Sequence, residues 1–85
     1  MSWDRQLGNA IIVQAAIDYR KALYAIDIGR YSLMTIQRVK DLEKFFRSEW
    51  YSFLTDLDCE ILLSRLKGET PEERAEKVRG YNSIM

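Results

Sequence analysis

The stretch that most constrains this chain is "AIIVQAAIDYRKALYAIDI", Ala10 to Ile28, because its apolar residues fall on two sides of a single helix. Ile11, Ala15, Tyr19, Ala22 and Ile26 recur every three or four residues, flanked by Ile12, Ala16 and Leu23. That spacing marks one face of an α-helix. At about 100° per residue, Val13, Ile17, Tyr24 and Ile28 form a second, separate stripe. Arg20 and Asp27 lie between the stripes on one side; Gln14, Asp18, Lys21 and Ala25 lie on the other. A helix apolar on two sides must bury both, or leave one for a partner. Two arrangements satisfy this: a central helix enclosed by its own domain, or self-association through the second stripe. Asn9 is the expected N-cap, and Gly29 stands where a left-handed residue closes a helix.

The remaining sequence is also helical. Ser32 can cap a helix beginning at Leu33, and Ile36, Val39, Leu42, Phe46, Trp50, Phe53, Leu54 and Leu57 share one sector if that helix runs on unbroken. This predicts Phe46, Trp50 and Phe53 in the core. Phe45 and Tyr51 then point elsewhere, as a lid, groove or interface. Ser48 could instead cap a new helix at Glu49 and bend the segment. In "TDLD", Thr55 with Asp58 resembles a capping box, and the helix that follows ends at Gly68. "TPEE" supplies a fourth start, with Thr70 as cap, Pro71 at the first helical position and Glu73 completing a capping box. Ala75 and Val78 are its apolar residues, so it reads as a solvated terminal helix with a Glu73–Lys77 pair. No segment alternates as a strand would. The pattern predicts an all-α bundle with three core helices over 10–28, 33–54 (straight, or bent near 48) and 56–67. A short terminal helix over 71–79 completes one domain, 1–85, with 1–8 and 80–85 as flexible tails.

Eighty-five residues suffice for one small core, which should bury roughly 60–65 % of the unfolded surface. Thirteen basic and thirteen acidic residues cancel, so no global field recruits nucleic acid or an anionic membrane. The chain has no histidine and one cysteine, Cys59, which excludes an internal disulfide and the Ser–His and Cys–His nucleophile pairs. Asp56, Asp58 and Glu60 superficially suggest a cation site but lack the glycine and distant glutamate of a calcium loop. Helix capping accounts for them. No glycine-rich phosphate loop is present, no cofactor is expected, and a non-enzymatic protein follows. With no signal-peptide pattern and no long apolar run, the expected location is the cytoplasm, without membrane association.

One basic stripe needs weighing. Lys40, Lys44 and Arg47 fall on a single helical face and could touch phosphates, with a salt slope of about −2 to −3. The helix that would read DNA begins with Asp58 and Glu60, which repel phosphate. A protein partner therefore fits better than nucleic acid, and a DNA-associated regulator is the alternative.

"IIVQAAIDYRKAL" and "EKFFRSEWYSFLTDLDCEILLSRL" together resemble short proteins encoded by phages and prophages of Gram-positive bacteria. Gln14, Ala15, Asp18, Tyr19, Arg20, Ala22 and Leu23 match the first part of that pattern; Phe45, Phe46, Ser48, Trp50, Leu54, Thr55, Asp56, Asp58 and Glu60 match the second. Cys59 departs from the glycine of the pattern. The resemblance implies a mobile-element accessory protein and no particular activity. Such a protein would self-associate or inhibit a host protein, for example a component of antiphage defence. The expected interface is Val13, Ile17, Tyr24, Ile28, Phe45 and Tyr51.

Overall fold

The computed structural model describes residues 5–83, with side chains from Gly8 to Gly80. Five helices follow in order: α1 (Arg5–Asp27), α2 (Leu33–Phe46), α3 (Glu49–Leu54), α4 (Cys59–Lys67) and α5 (Pro71–Ser83). The described residues contain no strand, and the protein is a small all-α bundle. α1 packs against each of the other four helices. At 1.5 Å per residue it is about 35 Å long, in a molecule measuring 43 × 27 × 21 Å.

α1 begins earlier than its sequence suggests, and Asn9 lies inside it rather than capping it. The reason is packing. Gly8 is buried against α3 so closely that an added Cβ would stand 2.8 Å from the Leu54 carbonyl oxygen. That approach gives the first turns a tertiary partner, and tertiary contact outweighs a local capping preference. Residues 5–8 of the expected N-terminal tail are therefore helical, as are residues 80–83 of the C-terminal one. Residues 1–4 and 84–85 lie outside the described residues. At its other end α1 closes as the sequence predicts. Gly29 has φ +73°, its amide donates to the Ile26 carbonyl, and the Arg30 amide donates to the Ala25 carbonyl. This is the paired hydrogen bonding of a Schellman motif.

Ser32 caps α2, its hydroxyl accepting from the Thr35 amide while the Thr35 hydroxyl accepts from the Ser32 amide. The segment then breaks at Arg47 and Ser48. Ser48 takes an extended backbone, donates to the Phe45 carbonyl at 2.6 Å, and accepts from the Tyr51 amide. A break of this kind rotates everything beyond it. Phe46, the last residue of α2, is fully buried as predicted, but Trp50 and Phe53 are 46 % and 74 % exposed. Tyr51, expected at an interface, is instead 3 % exposed and belongs to the core with Leu54. The one-helix alternative is corrected, and the Ser48 alternative is correct.

α4 starts three residues later than the Thr55 cap would place it. Asp58 caps it, its Oδ1 accepting from the amides of Glu60 and Ile61. Thr55 uses its hydroxyl two residues on, accepting from the Leu57 amide within the loop. The Thr70–Glu73 capping box opens α5 as predicted. The Glu73–Lys77 pair does not form in this structure; Lys77 binds Glu69 instead.

The core collects Ile12, Ala15 and Tyr19 of α1, Phe46 of α2, Tyr51 and Leu54 of α3, and Leu63 and Leu66 of α4. Three rings meet Phe46 edge-on: Tyr19 at 5.9 Å, Phe45 at 5.5 Å and Tyr51 at 5.9 Å between centroids. These are favoured aromatic geometries. The Tyr19 hydroxyl leaves this cluster by donating to Glu43 at 2.7 Å. Burial raises the Tyr19 pKa well above its usual range, and the hydrogen bond to Glu43 and that residue's charge raise it further.

Candidate interaction surfaces

The second stripe of α1 is neither enclosed nor free. Val13 and Ile28 are exposed, whereas Ile17 and Tyr24 are half-buried. α5 explains the difference. Arg74 meets Asp27, and Lys77 reaches Glu69, which Arg20 also holds. These ties hold α5 against α1 on the side carrying Arg20 and Asp27, beside the stripe. The terminal helix is thus part of the packed bundle rather than solvated: Val78 is buried and Arg74 is only 4 % exposed.

Glu69 is the hinge of this arrangement. Arg20 grips its carboxylate through Nε and Nη2 at 2.9–3.1 Å, and its side chain is 7 % exposed. Burial pushes the carboxyl upward, but the hydrogen bonds from Arg20 and Lys77 and the charges behind them outweigh it. The net pKa is lowered. A carboxylate whose pKa falls on folding stabilises the protein above its unfolded value, near 4.3 for Glu, and loses that contribution as pH drops through the folded value. Glu69→Gln should therefore cost about 1–2 kcal/mol at pH 7. The gap between variant and wild type should shrink steadily below about pH 4.3. Urea titrations of both proteins at pH 7, 5, 4 and 3 measure it; a gap independent of pH would exclude Glu69 as the titrating group.

Among the described residues, two groups of exposed apolar side chains stand at opposite ends of the molecule. At the α1–α2 turn, Leu33 and Met34 are more than four-fifths exposed, next to exposed Ile28 and Tyr31. At the other end, where α3 meets the start of α1, Trp50 and Phe53 lie one turn apart on α3, followed by exposed Leu57 and Ile61. Aromatic anchors of this kind dominate protein interfaces. Of the residues expected at the interface, Val13 and Ile28 are exposed, Ile17 and Tyr24 are partly covered, and Phe45 packs half-buried against the core. Tyr51 is buried with its hydroxyl unpartnered. Trp50 and Phe53, not Phe45 and Tyr51, face outward; only the placement of the break could have shown this.

An open groove of about 690 Å³ lies between α1 and α2 at the α1–α2 turn end. Ala22, Ala25, Leu42 and Met34 give it an apolar lining, and Lys21 and Arg38 stand at its edge. Asp18 and Asp41 also line it, each accepting a hydrogen bond from the glutamine four residues before it, Gln14 and Gln37.

The basic stripe fares differently. Arg47 is engaged by Glu60 at 2.9 Å and approached by Glu43 at 3.9 Å. Its hydrogen bond and charge pairing with Glu60 raise its pKa and lower that of Glu60. Lys40 and Lys44 are left exposed on that face, which is little for a phosphate track. The acids of the 56–60 segment also have structural roles: Asp58 caps α4 and Glu60 binds Arg47. Among the described residues no helix is long and apolar enough to cross a membrane, and no group of three or more metal-ligating side chains gathers. Compared with protein-family models, curated proteins and solved structures, the chain finds no match in any of the three.

Proposed function

We propose that this chain is a non-enzymatic helical protein-interaction protein of a phage or related mobile element, acting in the cytoplasm by self-association and by binding and inhibiting a host protein such as a component of antiphage defence. The observation that carries the binding role is the outward placement of Trp50 and Phe53 on α3. A short helix fixed at its start by Ser48 holds these rings at the surface, where burying the largely exposed Phe53 on a partner gains up to about 1.5–3 kcal/mol. The mobile-element setting draws its support from the sequence pattern of Gln14 to Leu23 and Phe45 to Glu60.

Expression in a Gram-positive host carrying an intact antiphage system tests the reading. The wild-type chain should raise the plating efficiency of a restricted phage. Trp50→Ala/Phe53→Ala should lower that effect at least tenfold while keeping its helical circular dichroism. Lys40→Ala/Lys44→Ala should leave it unchanged. A double aromatic variant as active as wild type would overturn the role assigned to α3.

A further inference from the structure

α5 stands apart from the core that unites the other helices. The continuous cluster of buried side chains draws on α1, α2, α3 and α4, and no described residue of α5 belongs to it. Among the described side chains of α5, Arg74 and Val78 are buried and Ala75 is half-buried. The helix packs on α1, and its ties there are polar. Arg74 holds Asp27 at 2.6 Å, and Lys77 meets the Glu69 carboxylate that Arg20 grips from α1. Arg74 also donates to the carbonyls of Leu66, Lys67 and Glu69. Lifting α5 away therefore uncovers little apolar area, and water reaches both partners of every polar tie that parts. Segments with few buried apolar contacts open at a lower free energy than the core around them. Residues 68–70 connect α5 to α4, and the capping box of Thr70 and Glu73 is local to α5, so neither opposes such a movement.

The ties also define what α5 covers. At about 100° per residue, Ile17 and Tyr24 lie within roughly 60° of Arg20 around α1. They are the half-buried members of the second stripe, whereas Val13 and Ile28 are exposed. We propose that α5 is a detachable strap: it leaves α1 as a unit while α1 to α4 stay folded, and its release joins Ile17 and Tyr24 to Val13 and Ile28 in one continuous apolar face. The two-sided helix then has one stripe sealed in the core and the other under a removable cover. Release of the strap is independent of the binding role given to Trp50 and Phe53, which lie on α3.

Native-state hydrogen exchange on the full chain at pH 7, with urea kept below the unfolding transition, reads the release. Amides of residues 74–80, corrected for intrinsic rates, should exchange about a hundredfold or more faster than those around Tyr19 and Phe46. Their urea dependence should be small, because little surface is uncovered. Phe46→Leu should speed the core amides about tenfold and leave those of α5 unchanged, since Phe46 stays packed when the strap is off. A thiol placed by Tyr24→Cys on a Cys59→Ser background reads the face itself. Relative to the unfolded chain, its reaction with an aromatic disulfide reagent should be slowed by the same factor as exchange of the α5 amides. Val78→Ala should lower both protections by one common factor of about tenfold or more. α5 amides that share the urea dependence of the core, or that speed up with it in Phe46→Leu, overturn independent release. A thiol as protected as the core, or as reactive as in the unfolded chain, overturns the placing of Tyr24 under the strap.

Discussion

Phe46→Ala should remove about 3–5 kcal/mol of stability, which is a large part of the roughly 4–13 kcal/mol available to a domain of this size. Phe46 has no exposed surface and ends α2, directly before the break. Its ring is the common neighbour of Tyr19, Phe45 and Tyr51. Truncation therefore costs more than transfer of one side chain to water. Three edge-to-face pairs vanish together, each worth about 0.5–1.5 kcal/mol beyond its area. The cavity cannot close easily, because the Tyr19 hydroxyl is tied to Glu43 and Tyr51 is fixed on a helix whose start is capped. With a urea m-value of about 1–2 kcal/mol/M, the unfolding midpoint should fall by about 1.5–5 M. Phe46→Leu, which keeps most of the volume, should lose about 1–1.5 kcal/mol. A Phe46→Ala midpoint within 0.5 M of wild type would show that these rings do not hold α2, α3 and α1 together.

The same residue shows what the sequence makes legible. Its burial follows from periodicity alone, because Ile36, Val39, Leu42 and Phe46 belong to one uninterrupted helix. Beyond Ser48 the periodicity misleads. Trp50 and Phe53 continue the stripe on paper, but the hydroxyl of Ser48 closes one helix at Phe45 and opens the next at Tyr51, and the rotation turns Trp50 and Phe53 outward and Tyr51 inward while Leu54 keeps its expected place in the core. A single side chain with two competing uses decides which aromatics form the core and which face outward. The beginning of α1 was hidden for another reason: Asn9 satisfies a local capping rule, but Gly8 finds α3 across space. Helix ends marked by a covalent necessity, such as the positive φ of Gly29 or the ring of Pro71, fall where the sequence puts them. The groove between α1 and α2 requires knowing how two helices pair, which their separate periodicities do not state.

Arg74→Ala should be the costliest change on α5, at about 3 kcal/mol or more, although the sequence offers only Ala75 and Val78 as reasons for that helix to dock. Its signal is positional: Arg74 precedes Val78 by four residues and so shares the face that packs inward. The guanidinium donates to Asp27 at 2.6 Å and to the carbonyls of Leu66, Lys67 and Glu69. Leu66 and Lys67 end α4, where carbonyls lack helical partners and the dipole is negative. Asp27 ends α1, so its carboxylate faces the wrong pole of its own helix. One cation answers both, and removing it leaves the Asp27 carboxylate without its partner and the carbonyls at the end of α4 without their donor. Arg74→Met should cost less, since it keeps the apolar stem and also removes the Nε that has no partner in the native structure. Asp27→Asn on the Arg74→Ala background should recover part of the loss, with a coupling of about 1–3 kcal/mol in the double-mutant cycle. Hydrogen exchange should show α5 amides opening first in Arg74→Ala, while α1 keeps its protection around Tyr19. If the variant loses less than about 1 kcal/mol, or α5 stays as protected as in wild type, Val78 and not the Arg74 clamp holds the terminal helix on α1.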